Sequence, residues 1–417
     1  MEEQHIEPLL TNDAVIFGVL IVILAGVFIT SSSDKPFWKK FYTYVPALLL
    51  CYFIPSLLNT FGIVDAESSR LYFVSSRYLL PASLVYLTLS IDIKGIMGLG
   101  PKALIMFFTA TAGIMIGGPL AILIVGAINP DIIAGEGANE VWKGLSTVAG
   151  SWIGGGANQT AMREVFQPSN ELFSAMVTVD IIVANIWMAF LLYGAGISKR
   201  VDAWFKADSS AIDELRDNIE NYRASIARIP SFNDLAILAA IGFAVTGISH
   251  LFADGISAFV TENLPGLKEF SLNSQFFWLI VIATTIGFGL SFTKLRTYEG
   301  AGASKFGSLF IYILVATIGM EMDVTKILEE PGFFLIGIIW IIIHVTMLLV
   351  VGKLIKAPFF FVAVGSQANV GGAASAPVVA SAFHPALAPV GVLLAVLGYA
   401  LGTYGAYLCA QLMRMVS

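Results

Sequence analysis

The sequence predicts an all-α polytopic membrane protein made of two inverted repeats, each with five transmembrane helices and one glycine-broken re-entrant hairpin. The first observation is composition: 57% of the 417 residues are hydrophobic and only 12% are charged, as in proteins that lie in a bilayer. The second is a set of ten apolar runs. The third is a pair of polar, glycine-rich stretches, Gly150–Phe166 and Gly365–Ala380, at matching places in the two halves.

Each apolar run has about the length that a helix needs to cross a bilayer. Five fall in each half, at residues 14–31, 41–58, 72–90, 103–127, 171–197, 234–253, 274–293, 304–322, 332–353 and 386–412. A second landmark supports an internal repeat, because Asp92-Ile-Lys-Gly-Ile96 ends the third run and Asp323-Val-Thr-Lys-Ile327 ends its counterpart. We therefore place the repeats at residues 1–198 and 233–417.

The two glycine-broken stretches do not have the sequence of ordinary membrane helices. Each glycine destabilises a helix by about 1 kcal/mol relative to alanine, and three follow one another at Gly154, Gly155 and Gly156. Non-helical backbone is tolerated at membrane depth only where protein or water covers it, and paired interrupted segments indicate the binding site of a transporter. The alternative is that the small residues and amides only permit close helix packing.

We predict hairpins over residues 144–168 and 358–383, lining one polar site. Their small polar side chains are the candidates for binding a solute: Ser151, Asn158, Gln159, Thr160, Ser366, Gln367, Asn369 and Ser375.

The basic residues set the orientation of the chain. If both hairpins are re-entrant and the N-terminus lies outside, most of the 23 Lys and Arg residues fall in inside loops, as the positive-inside rule requires. The prediction is a multi-pass protein of the bacterial cytoplasmic (inner) membrane with both termini outside. The first hairpin then enters from outside and the second from inside, so their tips can meet.

Residues 199–232 form the longest polar segment, which we predict to be a cytoplasmic linker helix between the repeats. Ser210 and Asp213 resemble a capping box. An apolar stripe at helical spacing supports the helix, at Ile212, Leu215, Ile219, Tyr222 and Ile226.

Asp180 lies in the middle of the fifth run. A carboxylate there is costly, and an ionisable residue inside the membrane indicates function. We predict that Asp180 binds the coupling cation, Na⁺ or H⁺, with Asn158 and Asn369 as further candidate Na⁺ ligands. A purely structural anchor is the alternative. Asn185, about 140° round the helix from Asp180, and Thr403 in the final helix are further candidates for cation coupling.

Other polar residues give weaker signals. Arg163 and Glu164 could pair with each other, or Arg163 could hold a carboxylate of the solute. His344 is alone on an apolar helix, as core histidines often are, and Cys51 and Cys409 give no disulfide framework. The sequence contains no nucleophile triad, nucleotide-binding loop or basic run, so we predict no enzyme, no organic cofactor and no nucleic-acid partner.

Three motifs carry a resemblance to a known family: Gly150-Ser-Trp-Ile-Gly-Gly-Gly-Ala-Asn158, Asp180-Ile-Ile-Val-Ala-Asn185-Ile-Trp187 and Ser366-Gln-Ala-Asn369-Val-Gly-Gly372. They resemble the YjcL-like family of bacterial and plastid membrane proteins, a group of unknown function. That group is similar to the glutamate:sodium symporters of the cation:proton antiporter/anion transporter superfamily. The resemblance implies a core domain holding both hairpins, a scaffold domain, elevator-like alternating access and a homodimer.

The predicted function is secondary active transport: Na⁺-coupled symport of a small polar or anionic solute, such as an amino acid, a short peptide or an organic acid. A cation:proton antiporter that uses Asp180 is the alternative. A passive channel would need a continuous polar helix face, and an intramembrane enzyme would need a paired acid and base or a metal cluster; the sequence shows neither pattern.

Overall fold

The computed structural model describes residues 8–45, 47–66, 68–207, 212, 229–270, 272–321, 331–384 and 387–417. This part of the chain is helical, and its only strand-like pairing is a single β-bridge between Leu10 and Val64. The all-helical class predicted from the sequence is confirmed.

The helices are numbered in chain order. In the first half they are α1 (Asp13–Ser31), α2 (Pro36–Tyr44), α3 (Ala47–Thr60), α4 (Leu71–Val74), α5 (Leu80–Leu89), α6 (Ile93–Gly98), α7 (Pro101–Ile128), α8 (Val141–Gly154), α9 (Gly156–Phe166), α10 (Asn170–Gly196) and α11 (Ser198–Phe205). In the second half they are α12 (Phe232–Asn263), α13 (Gln275–Leu290), α14 (Ala303–Glu321), α15 (Gly332–Leu354), α16 (Phe359–Val370), α17 (Gly372–Phe383) and α18 (Ala388–Val416).

Seven of the described helices are long and apolar enough to cross a membrane: α1, α7, α10, α12, α14, α15 and α18. They coincide with seven of the ten apolar runs, which supports a multi-pass integral membrane protein. The runs at 41–58, 72–90 and 274–293 are shorter or interrupted helices. The last of these, α13, has 16 residues and is followed after a 97° bend by the 3₁₀ segment Lys294–Ala301.

A π-helical turn, Ser75–Leu79, divides the run at 72–90 into α4 and α5. In a regular α-helix the Arg77 carbonyl would accept a hydrogen bond from the residue four positions later, but Pro81 has no N–H to donate. The His250 Nε2 atom instead lies 2.9 Å from the Arg77 carbonyl oxygen. The interruption therefore follows from a proline, and another helix satisfies the carbonyl that it leaves free.

Each glycine-broken stretch forms two helices that pack side by side, α8 with α9 and α16 with α17. Lys143 near the start of α8 and Phe166 at the end of α9 line the same cavity. In the second pair, the ring of Phe383 at the end lies 5.3 Å from the ring of Phe360 at the start. Each stretch is therefore a helical hairpin with its two ends together. Re-entry of either hairpin into a bilayer stays a prediction, as does the inverted repeat.

The last helix shows that the hairpins start from opposite ends of the molecule. Arg414, near its C-terminal end, lines the same cavity as the ends of the first hairpin, whereas its first residue, Ala388, follows closely on the end of the second hairpin. The helix has 29 residues, so it is about 43 Å long. We call these two sides the first-hairpin end and the second-hairpin end.

At the second-hairpin end, the short helix α11 contacts the start of the second hairpin. The Asp202 carboxylate accepts a hydrogen bond of 2.7 Å from the Phe359 backbone N–H, which is one of the unpaired donors at a helix start. The rest of the predicted linker helix, including Ser210, Asp213 and most of the apolar stripe, lies outside the described residues, as does the segment Asp323–Ile327.

Candidate functional site

The breaks in the two hairpins meet each other. Gly155 separates α8 from α9 with φ of 74°, and Gly372 opens α17 with φ of 59°, a region that only glycine adopts without strain. A Cβ atom built on Gly372 would lie 3.7 Å from the Gly155 Cα atom and 3.9 Å from the Tyr399 hydroxyl. The tips of the hairpins therefore touch beside a tyrosine of α18.

The first break is fixed to the last helix by Asn158, which is fully buried. Its Nδ2 atom donates to the carbonyls of Gly154 and Tyr399, at 3.1 and 3.3 Å. Its Oδ1 atom accepts a hydrogen bond of 2.7 Å from the hydroxyl of Thr403, which also lies 3.4 Å from the Thr284 hydroxyl. The structure thus brings two predicted site residues, Asn158 and Thr403, into direct contact.

The second break is fixed to α7 by Asn369, also fully buried. Its Nδ2 atom donates to the carbonyls of Gly365 and Phe107, at 3.0 and 3.3 Å. Its Oδ1 atom accepts a hydrogen bond of 2.8 Å from the Thr111 hydroxyl. Each asparagine therefore donates to the carbonyl four residues before it in its own hairpin. Each also hydrogen-bonds to a backbone carbonyl and to a threonine hydroxyl on a neighbouring helix, and these two partners are one helical turn apart.

Asp180 lies against the first hairpin, and its side chain is 5% exposed. Its Oδ1 atom accepts a hydrogen bond of 2.6 Å from the Trp152 indole N–H, and its Oδ2 atom accepts one of 2.8 Å from the Gln159 amide. The Ser151 side chain lies beside the same carboxylate, and the Tyr52 hydroxyl donates to Gln159 Oε1 at 3.2 Å. In the part of the chain that the structure describes, these partners are all neutral.

The helix that carries Asp180 also contacts the second hairpin. Trp187 lies seven residues after Asp180, on the same face and about 10 Å further along the helix. Its indole N–H donates to the Ser366 hydroxyl at 2.8 Å. The Ser366 hydroxyl lies 2.8 Å from His344 Nε2, whose other ring nitrogen, Nδ1, lies 3.1 Å from the Ala110 carbonyl. A carbonyl cannot donate, so Nδ1 carries the proton, and in the neutral ring Nε2 then accepts from the Ser366 hydroxyl.

The other amide in the second hairpin, Gln367, leaves one atom without a described partner. Its Nε2 atom donates to the Ser375 hydroxyl at 2.7 Å, across the break. Its Oε1 atom is buried and has no hydrogen-bond donor among the described residues. A buried unsatisfied acceptor costs about 1 to 3 kcal/mol, so a ligand that donates there would gain affinity.

Two predicted site residues make only local hydrogen bonds in the described structure. The Thr160 hydroxyl donates to the Gly156 carbonyl at 3.0 Å, and the Asn185 amide donates to the Ile181 carbonyl at 2.7 Å. Each bond is to the residue four positions earlier in the same helix. The described contacts do not bring Asn185 to the carboxylate of Asp180.

The pairing of Arg163 with Glu164 was wrong, because consecutive residues in a helix point in different directions. Arg163 forms a 2.7 Å salt bridge with Glu321 and also donates to Asn170. Glu164 pairs with Arg77 at 2.7 Å. The Tyr72 hydroxyl also donates to Glu164.

Sequence reasoning overlooked the aromatic donors of this site, Trp152, Trp187 and Tyr52, and treated His344 as an isolated core residue. The signal was present for the tryptophans, because a buried indole N–H needs an acceptor and Trp187 follows Asp180 by two helical turns. Among the described residues no three His, Cys, Asp or Glu side chains lie together as a metal-binding group. A Na⁺ site made of one carboxylate and neutral oxygens does not need such a group.

Comparison with known proteins places the chain in a family. The protein is similar to the uncharacterized membrane protein YjcL of Bacillus subtilis (strain 168), with 26% identity over 356 residues, which cover 82% of this chain and 83% of that protein. Residues 18–416 match the family described as protein of unknown function (DUF819). Because that match extends over almost the whole sequence, the chain belongs to the DUF819 family, which includes YjcL-like membrane proteins.

Proposed function

We propose that this protein is a secondary active transporter that couples the movement of a small polar or anionic solute to Na⁺, with Asp180 as a ligand of the ion. The observation that carries the proposal is the environment of that carboxylate. It is buried beside a break in a hairpin and, among the described residues, it is held by neutral donors alone.

An ionised carboxylate that is buried without a positive partner is strongly unfavourable. Asp180 is therefore stabilised when a cation binds it. A carboxylate offers about four lone-pair sites, and hydrogen bonds from Ser151, Trp152 and Gln159 use three of them. The remaining site, the oxygen lone pairs of the Ser151 hydroxyl and carbonyls near the break provide the hard oxygen ligands that Na⁺ prefers. The C-terminal end of α8 points its partial negative charge toward the break and favours a cation there.

The solute is proposed to bind where the tips of the hairpins meet. The N-terminal ends of α9 and α17 begin at the two breaks, and helix N-termini favour anionic groups. The buried Oε1 atom of Gln367 supplies an acceptor for an N–H or O–H of the solute. Gly155 and Gly372 let the backbone approach the ligand closely, because neither has a side chain. Interrupted helices that meet in this way are typical of binding sites in secondary transporters.

Alternating access would follow from movement of the two hairpins together. Asn158 and Asn369 attach the hairpins to α18 and α7, so these four elements are proposed to move as one core past a scaffold, as in an elevator. The proposal includes inverted repeats, re-entrant hairpins, both termini outside the cytoplasmic membrane, and a homodimer.

A cation:proton antiporter is the second candidate. It is favoured by the same observation, because one buried carboxylate with neutral partners can carry either a proton or a cation, but not both. In that case Na⁺ and H⁺ would compete at Asp180 without any requirement for a solute.

Transport by the purified protein in liposomes distinguishes these functions. We expect accumulation of one or a few compounds from a labelled pool of amino acids, short peptides and organic acids when a Na⁺ gradient points inward. No accumulation should occur when monensin abolishes the gradient. Alkalinisation of the lumen driven by the inward Na⁺ gradient alone, with no compound accumulated, would instead establish the antiporter, because Na⁺ entry would be exchanged for H⁺ exit.

A further inference from the structure

An open cavity of about 610 Å³ lies at the first-hairpin end. Its volume is within the range of about 300 to 1,000 Å³ that is typical of small-molecule sites. Four basic and two acidic side chains line it: Arg77, Lys143, Lys268, Arg414, Glu140 and Glu164. The charged lining therefore carries a net charge of about +2.

The position of these basic residues is unusual for a membrane protein. The predicted topology places this end outside, where Lys and Arg are disfavoured in the loops. Few basic residues remain on that side, and the fold gathers four of them around one cavity. Two of the four form salt bridges within the cavity, Lys143 with Glu140 at 3.2 Å and Arg77 with Glu164 at 2.7 Å. The excess positive charge is that of two basic side chains, and on this side of the membrane it calls for a function.

The cavity is connected to the hairpin that carries the first break. Glu164 near the end of α9 forms the salt bridge with Arg77, whose guanidinium also lies 4.4 Å from the centre of the Phe276 ring. The π-helical turn that holds Arg77 is thus part of the cavity wall. Movement of the first hairpin would move Glu164, and with it the charges of the cavity.

The apolar part of the wall indicates an organic ligand. Trp142, Phe166 and Phe276 line the cavity together with the charged residues. Aromatic rings contact the carbon skeleton of a small molecule, and Arg and Lys bind carboxylates. Inorganic phosphate would bind to the basic side chains but has no carbon skeleton to pack against the aromatic rings.

We propose that this cavity is a separate binding site that captures a small organic anion bearing a carboxylate before it reaches the hairpin tips. The proposal rests on the proposed transport function and narrows its solute to an anion. The cavity concentrates the solute through its positive potential, since a charged cleft raises the local concentration of ions of opposite sign.

Cysteine labelling tests the cavity without any transport measurement. Cys51 and Cys409 are fully buried, so a cysteine placed at Asn273, in the loop that lines the cavity, gives the main signal. We expect the ratio of the rate with anionic sulfonatoethyl methanethiosulfonate to the rate with its cationic trimethylammonioethyl counterpart to be higher at Asn273→Cys than at the exposed control Leu9→Cys. Adding Lys268→Glu should lower the ratio of the two rates by about tenfold. Gln275→Cys serves as a second position in case the first variant does not fold.

A cysteine at Leu9 is the control, because Leu9 is exposed and lies on the same predicted side but does not line the cavity. Its ratio of rates should not respond to Lys268→Glu. Succinate should slow the modification of Asn273→Cys, whereas the neutral analogue succinamide should not. Equal protection by inorganic phosphate would overturn the organic part of the proposal.

A ratio of rates at Asn273→Cys no higher than at Leu9→Cys, or no effect of Lys268→Glu and succinate, would overturn the anion site itself. Protection by succinate without any Na⁺-driven uptake in liposomes would support the anion site and refute the transport function. The reverse result, Na⁺-driven uptake without protection by succinate, would refute the cavity alone.

Discussion

Gly155 and Gly372 meet tip to tip, and both have a positive φ. This contact joins the breaks of two hairpins whose other ends lie on opposite sides of the molecule. A side chain at either glycine would strain the backbone. A Cβ atom itself would make only ordinary van der Waals contacts, at 3.5 Å from Gly155 and at 3.7 Å or more from Gly372. The contact therefore depends on glycine for its backbone conformation.

Replacing either tip glycine should destabilise the protein. We expect Gly155→Ala and Gly372→Ala to lower the free energy of unfolding by about 1 to 2 kcal/mol each, because alanine is strained at positive φ. Thermal unfolding in detergent measures the change. Gly247→Ala is the matched control: Gly247 lies within α12 with open space around its Cα atom, so alanine there should be neutral or stabilising. Equal effects at all three positions would contradict this account.

The matching hydrogen bonds of Asn158 and Asn369 predict matching energetic couplings. Asn158→Ala and Thr403→Val should each cost about 1 to 3 kcal/mol, and the double variant should cost less than the sum. Asn369→Ala with Thr111→Val should give a coupling of similar size. Thr346→Val is the control, because the Thr346 hydroxyl donates only within its own helix in the part of the chain that the structure describes. If the losses of stability simply add in either double variant, the hydrogen bond of that pair does not couple the two residues energetically.

The two tryptophans of α8 and α10 test whether Asp180 is ionised. Trp152→Phe removes a donor to a carboxylate, and Trp187→Phe removes a donor to a hydroxyl. Hydrogen bonds to charged groups are worth about 1.5 to 3 kcal/mol, and those between neutral groups about 1 kcal/mol. Trp152→Phe should therefore be the more destabilising change when both variants are unfolded in saturating Na⁺, which keeps the carboxylate ionised. Equal losses would indicate a protonated Asp180.

Asp202 tests the contact between α11 and the second hairpin. Asp202→Ala should cost about 1 kcal/mol, as the loss of a helix cap usually does, whereas the amide oxygen of Asp202→Asn can still accept from the Phe359 N–H. Denaturation of both variants at neutral pH measures the difference. An equal loss in both would mean that the charge of Asp202, and not its hydrogen bond, stabilises the hairpin.

The difference in stability between the wild type and Asp202→Asn should also depend on pH. Burial raises the pKa of Asp202 above its ordinary value of 3.8, although the hydrogen bond from Phe359 opposes the shift. A raised pKa means that the stabilising contribution is complete below pH 3.8 and is lost as pH rises through the raised value. The wild type should therefore lose stability relative to Asp202→Asn as pH rises above 3.8. Parallel pH profiles would refute the burial effect.

The breaks and most of the long helices could be predicted from the sequence because their signals are local. A run of glycines at Gly154–Gly156 disfavours a regular helix. An apolar run long enough to span a bilayer rarely forms anything other than a transmembrane helix. The interruption of the run at 72–90 was missed although its cause, Pro81, is local. Only the partner of the freed Arg77 carbonyl, His250, comes from a distant helix.

The partners within the site were harder to predict because they come from distant parts of the chain. Asn158 and Asn369 were identified as site residues from their places beside glycines, but nothing in their own stretches indicates Thr403 or Thr111 as partners. Arg163 and Glu164 show the same limit: proximity in sequence suggested a pair, and tertiary packing gave each a different partner.

Binding of radioactive sodium (²²Na⁺) to the purified protein tests the central role of Asp180 most directly. We expect saturable binding to the wild type and its loss in Asp180→Asn, which keeps the size of the side chain and still unfolds cooperatively. Thr346→Val is the control, because among the described residues the Thr346 hydroxyl bonds only within its own helix, and it should retain binding. Sodium binding of unchanged affinity in a folded Asp180→Asn protein would contradict the claim that this carboxylate is the cation ligand.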